Sequence, residues 1–228
     1  MTKHLRADLD RLEKRLLILG ARVEDTVRKS IEALLERRVD LANQVIHGDP
    51  TIDGEEVEIE EECLKILALH QPVANDLRFV AACLKINSDL ERIGDLAVNI
   101  GERAASLKRT SPCAVPQTLR PMMETTTRML RECLDSFVKQ SVTLARKVMA
   151  EDERVDAYNR TNITEMVELM KLSSDKVEDA LLFLSASKSL ERIADHATNI
   201  AEDVVYMVEG EIVRHKASMA AARAAAKR

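Results

Sequence analysis

One internal repeat constrains the fold of this chain more than any other feature. Leu90-Glu91-Arg92-Ile93-Gly94-Asp95-Leu96-Ala97-Val98-Asn99-Ile100-Gly101-Glu102 returns 100 residues later as Leu190-Glu191-Arg192-Ile193-Ala194-Asp195-His196-Ala197-Thr198-Asn199-Ile200-Ala201-Glu202, with nine of thirteen positions identical. Agreement at that level marks a duplicated unit, and 228 residues accommodate two units of about 100 residues each. Within each copy the apolar residues step by three and four: Leu90, Ile93, Ala97, Ile100, Ala104 and Leu107, then Leu190, Ile193, Ala197, Ile200 and Val204. That spacing makes one face of a helix that packs in a bundle.

Composition agrees with an all-α chain. Aromatic residues are 2% and Trp is absent, so aliphatic side chains and Met fill the core, which suits helix-on-helix packing. Six Gly and five Pro leave few turns and imply long helices. His47-Gly48-Asp49-Pro50 is read as the end of a first long helix, with Asp49 capping a second, shorter one that closes at His70-Gln71-Pro72. A third helix spans about Val73 to Lys108. The second half repeats the order, with helices from about Leu119 to Met149, from Asp152 to Lys171, and onward from Asp175. The expected architecture is therefore two tandem up-down-up three-helix bundles, at 1–109 and 119–213, joined by a linker at 110–118 and followed by a basic, Ala-rich tail at 214–228.

Charge and cysteine usage narrow the function. A net charge of −5 argues against a nucleic-acid partner. Such a basic tail could touch an acidic partner or an anionic membrane surface, although tails of this kind are more often solvated helix ends. Cys63, Cys83, Cys113 and Cys133 form no C-x-x-C pair and are read as small buried hydrophobes inside helical patterns, in a reducing compartment. The N-terminus has no apolar signal region and no stretch reaches the length of a membrane span, so a cytoplasmic protein is expected.

The repeat also preserves acids. Glu91, Asp95, Asn99 and Glu102 lie on a second stripe of their helix, as do Glu191, Asp195, Asn199 and Glu202. Nearer the helix start that stripe is apolar, at Leu77, Ala81 and Leu84 and at Val177, Leu181 and Leu184, which suggests a helix packed on two sides. Asp49 and Asp53 are spaced i,i+4 on the preceding helix, and Asp152 and Asp156 repeat the pattern. Counted from the turns near Gln71 and Ser173, at about 1.5 Å of rise per residue, Asp53 reaches the height of Glu91, and Asp156 that of Glu191. Four carboxylates so placed repel one another unless a cation neutralises them. Oxygen ligands suit magnesium, manganese or calcium, and iron or zinc where carboxylates bridge. Arg92 and Arg192 point about 100° away and are not obvious partners of these acids. The competing reading of the acids is helix capping and surface i,i+4 pairing.

Catalysis has no visible seat. No E-x-x-H, H-E-x-x-H, P-loop or G-x-G-x-x-G motif occurs, and His196 beside Asp195 is read as a surface or packing residue rather than a ligand.

Gln71-Pro72-Val73-Ala74-Asn75-Asp76-Leu77-Arg78, Leu84-Lys85-Ile86 and Leu90 to Ile100 resemble the signature of the PhoU family of phosphate-transport and phosphate-signalling regulators. The resemblance covers nearly the whole chain and implies two tandem three-helix bundles whose E(D)-x-x-x-D motifs bind metal ions, with iron clusters in some members. The matching positions are Asp49, Asp53, Glu91 and Asp95, and Asp152, Asp156, Glu191 and Asp195, with Asn99, Glu102, Asn199 and Glu202 around them. The resemblance implies iron first, with zinc, manganese or magnesium as alternatives. It also implies a homodimer and a non-enzymatic adaptor between the phosphate ABC transporter ATPase and a sensor histidine kinase, meeting the membrane through those partners. Such an adaptor negatively regulates the phosphate-starvation response. The readings of a different class are a carboxylate-bridged metalloenzyme and a purely structural helical adaptor. The second half departs from the signature at Ala194 and His196 and lacks the Gln-Pro-Val turn.

Overall fold

The computed structural model describes residues 3–107 and 113–213, and among these the only regular elements are helices. They are α1 (Lys3–Glu36), α2 (Val39–His70), α3 (Ala74–Ser106), α4 (Leu119–Val138), α5 (Val142–Leu172) and α6 (Val177–Glu209), the last preceded by a 3-10 turn at Ser174–Lys176. None is long and apolar enough to cross a membrane.

The expected all-α, duplicated architecture is observed, but two of its helix boundaries are not. The first turn lies at Arg37 and Arg38, and α2 runs straight through Gly48, Asp49 and Pro50. Asp49 is therefore a mid-helix residue and caps nothing. Pro50 removes the hydrogen bond to the Ile46 carbonyl, but it sits on the exposed side of α2, where that loss is least costly. In the second half α4 stops at Val138, and α5 begins at Val142 rather than at Asp152. Ser141 caps it by accepting a hydrogen bond from Leu144 N at 3.3 Å. The two unforeseen turns are equivalent: Arg37 (φ 54°) and Gln140 (φ 46°) adopt the left-handed conformation without being glycine. Packing holds them there, because Ala33 and Leu34 before the first turn and Leu41 and Ala42 after it are all buried.

Each half is a three-helix unit, and the halves join through α3 and α6. Cross-helix partners set the register: Arg78 Nε donates to the Met207 carbonyl (3.4 Å), Lys85 pairs with Asp203 (3.0 Å), Asp89 with His196 (2.8 Å), and Arg103 Nε donates to Ser185 Oγ (3.1 Å). One number rises as the other falls, so the two helices are antiparallel. The order α2, α3, α6, α5 makes one layer, and α1 and α4 back it. Helix α3 is thus packed against α1, α2 and α6, in keeping with its two-sided pattern. The seam Leu90, Ile93, Ala97 and Ile100 is fully buried, as is its counterpart Leu190, Ile193, Ala197 and Ile200. Each such Leu or Ile contributes about 1.5–3 kcal/mol.

All four cysteines are buried and free. Cys113, however, is outside any helix: its amide donates to Asp179 Oδ2 (3.1 Å), and its carbonyl accepts from Arg37 Nη2 (2.9 Å), pinning the segment before α4 between the bundles. Residues 110–112 of the expected linker, the two residues before them at 108–109, and the whole tail at 214–228 lie outside the described residues.

Candidate metal centres on paired helices

The register expected from counting along the hairpin is visible in a hydrogen bond. Asn87 Nδ2 of α3 donates to the Glu56 carbonyl of α2 at 2.8 Å, which brings Asp53 level with Glu91 and Asp49 level with Asp95. Gly94 lets the helices close at this height: a Cβ there would stand 3.2 Å from Ile52 Cγ2.

In the first half, carboxylate oxygens of Asp49, Asp53 and Asp95 all lie within 4.8 Å of one another, and this is the one such group among the described residues. Asp53 is exposed, whereas Asp49 and Asp95 are half-buried. Asp49 Oδ1 is buried without a hydrogen-bond partner. Burial pushes the Asp49 carboxyl above the usual range, and Asp53 and Asp95 push it further. Glu91 is not within this trio. Its carboxyl is also raised, by burial first and then by Asp95, with Arg92 opposing. Arg92 corrects the sequence reading. Its long side chain swings back along the helix, bringing Nε to 3.4 Å from Glu91 Oε2 and Nη1 to 3.4 Å from Asp95 Oδ2.

In the second half no three of the described carboxylates come so close together, and three of them are engaged separately. Asp152 Oδ1 accepts from Thr198 Oγ1 (3.3 Å), Asp156 faces Arg160 (3.9 Å), and Lys188 pairs with Glu191. The carboxyls of Asp152 and Asp156 are nevertheless raised, burial being the main cause in each, followed by Asp156 for the first and Glu191 for the second. Asp195 is pushed up to about 6 by burial of its inner side, then by Asp152, Glu191 and Asp156, against Lys188.

Two of the outer residues have other work. Asn199 Nδ2 donates across the bundle junction to Asp89 Oδ1 (3.3 Å), and Glu102 pairs with Arg103 (3.1 Å). Asn99 and Glu202 are half-buried on the same stripes. His196 packs, as expected, with Nδ1 2.8 Å from Asp89 Oδ1. Sequence reasoning missed Thr198 and Asn87; the only signal for Thr198 was its replacement of Val98 within an otherwise matched repeat.

The raised carboxyls have a consequence for pH. The Asp195 carboxyl ionises near pH 4 in the unfolded chain but only at about 6 when folded, so the folded state holds more protons between those values. Stability of the metal-free protein should therefore fall as pH rises through that window and level off above it. Thermal melts in chelator from pH 4.5 to 7.5 check this. Asp195→Asn should flatten the slope, and an unchanged slope would place the effect elsewhere.

Comparison with known proteins agrees with the duplicated fold. The PhoU domain model matches residues 16–104 and again 119–204. The chain belongs to the PhoU family. It is 37% identical over 217 residues to a phosphate-specific transport system accessory protein PhoU homolog of Pseudomonas putida, covering 94% of this chain and 84% of that one. It is 32% identical over 219 residues to the accessory protein PhoU of Escherichia coli K12, covering 94% and 91%. The crystal structure of PhoU from Pseudomonas aeruginosa superposes with a TM-score of 0.86 at 37% identity, covering 90% of this chain and 99% of that one. The phosphate transport system regulatory protein PhoU of Streptococcus pneumoniae gives 0.85 at 32% identity, covering 92% and 99%. Membership places the chain among accessory and regulatory proteins rather than enzymes.

Proposed function

We propose that this chain is a cytoplasmic, non-enzymatic regulator of phosphate uptake and phosphate-starvation signalling, with metal ions seated in its carboxylate clusters. Family membership supports the regulatory part, since relatives are named as accessory proteins of the phosphate-specific transport system. On this reading the chain couples the phosphate ABC transporter ATPase to a sensor histidine kinase, works as a homodimer, and holds the starvation response off when phosphate is plentiful.

The observation that carries the metal reading is the Asp49–Asp53–Asp95 trio with its orphaned, buried Asp49 oxygen. A buried polar atom without a partner costs about 1–3 kcal/mol, and a cation would both satisfy it and offset the mutual repulsion of the three acids. An all-oxygen donor set fits a hard cation such as manganese, magnesium or ferric iron, and zinc less well. Asp49, Asp53 and Asp95 would hold the ion, with Glu91 one turn earlier on α3 as a further carboxylate. Asp152, Asp156, Glu191 and Asp195 offer a second, weaker seat, because Arg160, Lys188 and Thr198 already engage three of them. In a non-enzymatic protein the ion would supply charge neutralisation and a fixed spacing of α2 from α3.

Elemental analysis of protein purified without chelator tests the metal, and pull-down of the transporter ATPase and the kinase, with and without phosphate, tests the partners. Bound iron, manganese or magnesium and phosphate-dependent capture of either partner are expected. A metal-free sample whose melting is unmoved by added ions would leave a purely helical adaptor, and failure with both partners would remove the regulatory role.

A further inference from the structure

At the end of the molecule opposite the α5–α6 turn, a cavity of about 360 Å³ opens among α1, α3, the α4–α5 turn and the last turn of α6. Its walls are apolar at Leu9, Phe79, Met207 and Val208 and acidic at Asp10, Glu13 and Asp76. Among the described residues Arg6 is its only cation, and it lies 3.9 Å from Asp10. Glu13 and Asp76 form no ion pair among the described residues. The cavity therefore offers an apolar floor with two acids that no described cation answers.

Cationic residues follow shortly after this spot in the sequence. Helix α6 ends at Glu209, and Gly210 turns the backbone with φ 73° against the Arg78 guanidinium, where a Cβ would meet Nη1 at 3.0 Å. Val213 then packs against the core. The next residues are Arg214, His215 and Lys216, and the remainder of the segment to Arg228 carries Arg223, Lys227 and Arg228 with no acid at all. Met207 and Val208 line the cavity, so the basic segment starts within a few residues of the walls. At about 3.3 Å per residue, Arg214 to Lys216 fall within about 10 Å of Val213.

We propose that the basic segment 214–228 docks on its own chain, seating its first cationic residues against Glu13 and Asp76 in this cavity. Tethering at so short a distance gives an effective concentration in the millimolar range, enough for a few exposed ion pairs and one apolar contact to hold it. Because these contacts are ionic and near the surface, they should weaken as salt rises.

Limited trypsin digestion of the full chain, followed by mass spectrometry, tests this. The free peptide 214–228 in the same buffer serves as the reference for intrinsic cleavage after Lys216 and Arg223. At low salt the segment in the chain should be cut about tenfold more slowly than the free peptide, and Glu13→Gln with Asp76→Asn, or 1 M KCl, should remove that difference. Equal cleavage of the unaltered chain and the free peptide would overturn the proposal, as would protection that persists in the double variant. Protection that grows with protein concentration would assign the segment to a second copy and also overturn it. If far-UV circular dichroism shows the double variant unfolded, the salt series on the unaltered chain decides, with salt-independent protection counting against docking.

Discussion

Asp49→Asn together with Asp95→Asn should lower metal affinity at the first cluster by about 100-fold or more, beyond the ten- to hundredfold that changes around a metal ligand typically cost. Both residues donate to the trio whose oxygens lie within 4.8 Å of one another, and Asn lacks the charge that draws the ion. Without metal the same variant should be more stable than the unaltered chain, by roughly 0.5–1 kcal/mol, because two repelling carboxylates become neutral. With metal at about a hundred times its dissociation constant the order reverses, since the unaltered chain gains about 2.7 kcal/mol from binding and the variant does not. Calorimetric titration and paired melts with and without chelator measure both effects. The second cluster acts as an internal control, because its residues lie on α5 and α6 and should keep their ion. A variant that retains full metal content would show that the ion sits elsewhere. A variant no more stable than the unaltered chain in chelator would remove the argument from repulsion.

The second large effect is expected at Gly94. A Cβ at this position meets Ile52 Cγ2 at 3.2 Å and Cδ1 at 3.3 Å, on the wall that brings α2 against α3. Gly94→Leu must push α2 outward, at a cost of about 3 kcal/mol, the upper end for overpacking a close-packed core. Denaturant midpoints give the loss directly. The same displacement parts Asp49 and Asp53 from Asp95, so metal binding at the first cluster should fall with stability. Gly94→Ala is the informative partner. Its gain of about 1 kcal/mol in helix propensity roughly offsets a few tenths of an ångström of adjustment by Ile52, so stability should hardly move while metal affinity drops several-fold. Alanine already occupies the equivalent position, Ala194, in the half where no three of the described carboxylates come so close together. An unchanged denaturant midpoint for Gly94→Leu would show that the helices are less tightly apposed than the Ile52 contact indicates.

Much of the acidic site was legible because helix geometry is regular. Once the turn near Gln71 was placed, the level of Asp53 with Glu91 followed from a constant rise, and the Asn87–Glu56 hydrogen bond bears out that register. Regularity could not tell which of the four acids converge. Three come together in the first half and Glu91 stays outside them, while Arg92 lies against both Glu91 and Asp95, a contact that a wheel of Cα directions excludes but a long, flexible guanidinium makes. The helix starts were misplaced for a related reason. Pro50 and Gly48 are strong local breakers, yet the buried residues Val45, Ile52 and Ile59 on either side of them keep α2 continuous. The real turns fall at Arg37 and Gln140, residues with no turn preference, and only the Ser141 cap signalled either of them.

The sequence by itself determined that this chain is helical, duplicated and acid-bearing at matched heights, because apolar periodicity and rise per residue are local properties of an α-helix. Only the tertiary structure decided how the two units meet. Asp89 reaching His196 and Asn199, and Lys85 reaching Asp203, join α3 to α6 in antiparallel register. The repeat does not foretell these pairs, since Ser189 and Leu96 stand where the symmetric partners would be. Which charged side chains find one another across an interface depends on the packing of every helix behind them, and that information is spread over the whole core rather than written at the residues that touch.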